Sequence, residues 1–93
     1  MPRRRRFPFV YRTKAFREAL EAAPEHVRDA VRDVVVRLQN AQTDELHILP
    51  HWGDERIGDA FIVVVPGGDG LLVYRELLDH PALQLLQLVV PGD

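Results

Sequence analysis

Between Phe61 and Val90 the chain lays down three apolar runs, Phe61 to Val65, Leu71 to Tyr74 and Leu83 to Val90, and Arg75 is the only arginine or lysine among them. Such runs, separated by Gly, Pro and Asp, read as strands of a small sheet, and Asp69-Gly70 with its neighbouring glycines marks a hairpin. A sheet so poor in polar side chains offers few groups for chemistry. The last run is ambiguous, because Leu83, Leu85, Leu86 and Leu88 fit a strand buried on both faces and also a buried helix opened by Asp79-His80-Pro81. Val89 and Val90, and the unpaired edge that the preceding hairpin leaves, favour the strand over residues 82–90.

At 93 residues, with 46% hydrophobic and 28% charged residues, the chain suits one globular domain around one core. The absence of cysteine excludes disulfides, thiolate metal sites and a cysteine nucleophile. Arg3 to Arg6 is followed by Phe-Pro-Phe-Val-Tyr and then Arg12, too short an apolar stretch for a signal peptide. Uncharged stretches also fall well short of the ~20 residues of a membrane helix. The expectation is a cytoplasmic protein without membrane association.

Charge is segregated along the chain: residues 1–17 carry seven basic groups and no acid, whereas residues 41–93 carry two basic groups and nine acids. Arg3, Arg4, Arg5, Arg6, Arg12 and Lys14 form a candidate nucleic-acid-binding set, since clustered positive charge binds phosphate backbones by counterion release. The same residues serve equally as a solubilising terminus docked on the chain's own acids. The expected division is a flexible basic arm over 1–6 and a single domain over 7–93.

Phe7, Phe9 and Tyr11 alternate with Pro8, Val10 and Arg12, which predicts a strand over 7–12 with its aromatic face toward the core. Thr13 is an N-cap for a helix over 14–22, whose Phe16, Ala19 and Leu20 fall at helical spacing and whose Lys14 and Glu18 sit i,i+4. Pro24 closes that helix and opens a second one running to Asn40, with Val27, Ala30, Val31, Val34 and Leu38 on its apolar face. Strands are expected over 60–65 and 71–77, with Tyr74 in the core.

The connector over 41–58 gathers His47, His51, Trp52, Asp54, Glu55 and Arg56. His47 and His51 would make a two-histidine metal edge on a helix, but Pro50 argues against that helix, and the expectation is a polar loop with no metal. As candidates for catalysis, His51 is a general base within reach of Arg56, and Arg75 is a strand cation that in the simpler reading is a solvated charge.

The element order is β-α-α-β-β-β, an α+β fold with a helical hairpin laid on one face of a small antiparallel sheet. In this order, in Phe16-Arg-Glu-Ala-Leu20, Ala23-Pro24, Val27-Arg28 and Val31 to Leu38, and in the hairpin at Leu72-Val73-Tyr74, the chain resembles the RelE/ParE toxin superfamily. The resemblance spans Phe7 to Val90. It implies a bacterial type II toxin neutralised by an antitoxin peptide or protein, which in the RelE branch cleaves mRNA in the ribosomal A site without metal or cofactor and in the ParE branch binds DNA gyrase. The family places basic residues on the second strand, an arginine at the start of the third and an Arg, His or Tyr after the fourth. The matching stretches here read Ile62 to Val65, Leu71 and Pro91-Gly92-Asp93, so that catalytic set is absent. The readings that follow are a toxin or toxin-derived protein acting by binding, an mRNA endonuclease with relocated groups at Arg56, Arg75, His51 or His80, and a non-toxin module that forms a homodimer or other assembly.

Overall fold

The computed structural model describes residues 7–44, 46–51, 60–67, 70–77 and 81–91, with His51 described by its backbone alone. In chain order the elements are β1 (Phe9–Arg12), α1 (Lys14–Ala22), α2 (Glu25–Gln39), β2 (His47–His51), β3 (Ala60–Val65), β4 (Gly70–Leu77) and β5 (Ala82–Val89). The strands form one 5-stranded sheet in the order β1-β5-β4-β3-β2. Among the described residues, no helix is long and apolar enough to cross a membrane.

Thr13 makes the turn from β1 into α1. Its N–H donates to the Leu85 carbonyl at 3.1 Å, its hydroxyl donates to the Leu86 carbonyl at 2.7 Å, and that hydroxyl accepts from the Phe16 N–H at 3.1 Å. One side chain thus caps the helix and ties its first turn to the sheet. At Pro24 the fixed φ and missing N–H suit a helix start, and the Val27 and Arg28 N–H groups both donate to the Pro24 carbonyl. The end of α2 is a Schellman motif, with Ala41 N–H donating to the Leu38 carbonyl, Gln42 N–H donating to the Arg37 carbonyl, and Ala41 at φ 57°.

Both helices lie on one face of the sheet. Phe16, Val27, Val31, Val34 and Leu38 meet Val63, Val65, Leu72, Tyr74, Leu83, Leu85 and Leu88 in a single core. Each such side chain taken fully out of water contributes about 1.5–3 kcal/mol. Phe61 stacks on Tyr74 with ring centroids 5.5 Å apart, across the β3–β4 pair that places them opposite each other.

The segment over 82–89 is a strand, as expected, and lies between β4 and β1. Three features differ from the sequence reading. The sheet is mixed where an antiparallel one was expected, because the last strand runs parallel to the first. The connector contains an additional strand, β2, with Pro50 opposite Phe61; a proline is tolerated there because β2 is at an edge of the sheet. The phase of β1 is inverted: Phe7 is buried, but Phe9 and Tyr11 are 48% and 47% exposed, while Val10 packs on the core. Alternation establishes which residues share a face, but not which face is covered.

Two glycines shape the β3–β4 hairpin. Gly67 has φ 91°, which strains any side chain. At Gly70 an added Cβ would stand 2.6 Å from the Val89 carbonyl oxygen, so close pairing of β4 with β5 needs the bare backbone.

Candidate functional site

The face of the sheet turned away from the helices has no covering element among the described residues. Cα partners in neighbouring strands present side chains to the same face, so the register lays out this surface in rows. In one row Tyr11 stands opposite Gln84, Gln84 opposite Arg75, and Arg75 opposite Ala60. The next runs Gln87, Val73, Ile62, Leu49, and the last Val89, Leu71, Val64, His47.

A bulge shapes the arrangement. Tyr74 pairs with Leu85 but Val73 pairs with Gln87, so Leu86 is the extra residue. Without it Gln84 and Gln87, three positions apart, would point to opposite faces. With it both stand on the open face, while Leu85 and Leu88 are buried beneath the helices.

The open face is apolar. Of the six large hydrophobic residues exposed in the described structure, Phe9, Tyr11, Leu49, Leu71 and Val89 lie here, and Val36 lies on α2. Arg75 is the one formally charged side chain on it among the described residues, and its Nε is buried with no hydrogen-bond partner. A guanidinium nitrogen drawn out of water without an acceptor carries a desolvation penalty that an acceptor would relieve.

The residues singled out from the sequence are dispersed. Arg3, Arg4, Arg5, Arg6, Arg56 and His80 fall outside the described residues. His51 ends β2, its backbone opposite Ala60, which in turn pairs with Arg75; His51 and Arg75 are therefore two strand spacings apart, about 10 Å. Arg12 pairs with Leu85 on the helix side and lines a groove of about 180 Å³ with Phe16, Leu20, Arg32, Val35 and Val36. Lys14, its side chain 83% exposed, pairs with Glu18 at 3.8 Å. Neither basic residue adjoins the open face. Tyr11, Gln84 and Gln87 were not singled out as site residues, because their common face depends on the phase of β1 and on the bulge.

Other concavities hold less. A hollow of about 630 Å³ at the end of α2 is lined by Asp33, Arg37, Asn40 and Asp44, and Arg37 is already held by Asp33 at 3.0 Å. A cleft of about 200 Å³ includes Tyr74 and Glu76 on the helix side. The Tyr74 hydroxyl is pushed up to about 12 by burial and, secondarily, by the nearby Glu76 carboxylate, so it stays protonated at neutral pH. Among the described residues no three of His, Cys, Asp and Glu gather to hold a metal.

No protein-family model matches the chain, and no curated protein matches it. Among solved structures it is similar to RelE in the archaeal RelE–RelB complex from Pyrococcus horikoshii OT3, with a TM-score of 0.69 over 92% of this chain and 97% of that one. The chain has a RelE-like fold. At 17% identity the likeness is one of fold. In this RelE-like chain the stretches that the resemblance matched to basic positions are structurally apolar: Val63 and Val65 are core, and Ile62, Val64 and Leu71 belong to the open face.

Proposed function

We propose that this RelE-like chain is a toxin or toxin-derived protein of a bacterial type II toxin–antitoxin system, acting in the cytoplasm by binding a macromolecular partner. The similar RelE–RelB complex supports an antitoxin peptide or protein as one partner, and ribosome, mRNA or DNA gyrase are the candidate targets. RNA contact through Arg3, Arg4, Arg5, Arg6, Arg12 and Lys14 belongs to the same reading. The observation that carries it is the largely apolar open face, on which Arg75 is the one arginine among the described residues. Cleavage of a phosphodiester develops extra negative charge on the phosphoryl oxygens, and stabilising it takes several donors aimed at one point. The row of Tyr11, Gln84 and Arg75 brings a single cation among its donors, and Leu71, Val73, Ile62 and Val64 beside it supply none. A surface of this kind gains free energy by excluding water against another apolar surface.

Inducible expression in a bacterial host tests the reading. Growth arrest with translated mRNAs intact is the expected result. Normal growth at confirmed soluble expression would remove the toxin.

A second reading is a metal-independent mRNA endonuclease using His51, Arg56 and Arg75; what supports it is the register that sets His51 opposite Ala60 and Ala60 opposite Arg75. Primer extension on translated messages separates the two. Cleavage abolished by His51→Ala and Arg75→Ala would support the nuclease, and its persistence in both variants would strip those residues of the role.

A further inference from the structure

On the helix side of the sheet, one cleft brings a carboxylate, a phenol and two stacked rings together. Its volume is about 200 Å³, and its lining includes Thr43, Ile48, Phe61, Tyr74, Glu76 and Leu83. A dry cavity of ~150 Å³ holds a benzene, so the space admits a ring or short alkyl stem with a small polar head. Register builds the wall of the cleft. Phe61 stands opposite Tyr74 and stacks on it with centroids 5.5 Å apart, while Glu76 follows on the same face of β4, opposite Leu83.

Two oxygen-bearing groups at that wall have no partner. Tyr74 is only 2% exposed, yet its hydroxyl makes no hydrogen bond among the described residues. Arg75 Nε is the one described side-chain nitrogen or oxygen that is both wholly buried and unbonded. The little surface that Tyr74 keeps therefore includes its hydroxyl, and the residue lines the cleft. Glu76 is partly buried and forms no ion pair among the described residues. Its carboxylate is near enough to the phenol to help hold the phenolic proton. Both groups have given up hydration that a bound donor would replace.

These groups select among occupants. An anion would face the Glu76 carboxylate with no cation to receive it, since none of the described lining residues is basic. A metal ion would find one carboxylate and a protonated phenol, and among the described residues no three metal-binding groups gather. A neutral apolar molecule would fill the space beside Ile48 and Leu83 and leave both oxygens unbonded. An ammonium donates to carboxylate and hydroxyl together, and the face of the neighbouring Phe61 ring favours a cation. We infer that this cleft binds a small primary amine, its ammonium held between Glu76 and the Tyr74 hydroxyl and its short apolar stem against Ile48, Phe61 and Leu83. The site lies on the opposite side of the sheet from the open face and does not depend on the toxin reading.

Titration of the full chain with 2-phenylethylamine, followed by two-dimensional amide NMR, is the direct test. Saturable shifts are expected at Thr43, Phe61, Glu76 and Leu83. 2-Phenylethanol, with the same stem and no charge, should bind at least about tenfold more weakly, and 3-phenylpropionate should not displace the amine. Glu76→Gln should weaken the amine by about tenfold or more, with Glu76→Asp intermediate. Tyr74→Phe keeps the ring and removes only the hydroxyl, and should weaken it by about three- to tenfold. Unchanged thermal midpoints show that the variants fold. The comparison of amine with alcohol uses the unaltered chain and decides the matter if they do not. Several outcomes would overturn the inference: no saturable shifts at millimolar amine, equal affinity for amine and alcohol, or affinity indifferent to Glu76→Gln. Shifts confined to the hollow around Asp33 and Asp44 would also overturn it, by marking attraction to surface acids alone. Growth arrest without amine binding removes only this site, and amine binding without growth arrest removes only the toxin.

Discussion

Phe7 and Gln39 exchange two hydrogen bonds: the Phe7 N–H donates to the Gln39 carbonyl, and Gln39 Nε2 donates to the Phe7 carbonyl, both at 3.1 Å. The pair joins the residues leading into β1 to the last turn of α2. It places β1 beside β5, on the far side of the sheet from β2, and so determines how far the open face extends.

Gln39 is 8% exposed, so its amide has exchanged water for this contact. Gln39→Leu leaves the Phe7 carbonyl without its side-chain donor and is expected to cost about 1–3 kcal/mol. Urea denaturation with an unchanged m-value measures it. Hydrogen exchange should also accelerate at the β1 amides before the rest of the sheet, because their tether is local.

Thr13→Ala removes the acceptor for the Phe16 N–H and the donor to the Leu86 carbonyl together. The expected loss is about 1–2 kcal/mol, with Thr13→Ser recovering most of it, since only the hydroxyl makes these bonds. Thermal unfolding of the three proteins side by side decides the matter.

Ala41 occupies the left-handed position of the Schellman motif at φ 57° and is exposed. Its Cβ is strained there, whereas glycine carries no such penalty. Ala41→Gly should stabilise the fold by about 0.5–1 kcal/mol, read as an increase in the urea midpoint. A decrease would contradict the assigned geometry.

Tyr74 ties stability to alkaline pH. Its folded value of about 12 lies above the ordinary 10, so the unfolded chain releases this proton first. The contribution is fully present below pH 10 and is lost as pH rises from 10 through 12, amounting to about 2–3 kcal/mol. Unfolding free energies across that window should fall in the wild type and fall less in Tyr74→Phe.

Much of the fold was legible because its signals are local. Phe16, Ala19 and Leu20 repeat at helical spacing, Thr13 and Pro24 mark helix starts, and α1 spans Lys14–Ala22 as read. Glycines and Asp69 announce a hairpin whatever surrounds them. The connector concealed β2 because His47 to His51 contains a proline and little alternation, and it becomes a strand by pairing with β3.

The sequence by itself determined the two helices and their apolar faces, the β3–β4 hairpin and the shortage of basic groups after Phe61, since these depend on periodicity and composition. Tertiary structure alone decided that Phe9 and Tyr11 face outward, that Gln84 and Gln87 share a face through the bulge at Leu86, and that Arg75 stands in a row with Tyr11. The physical reason is that alternation has two equivalent phases. Only the helices choose between them, by covering one face of the sheet.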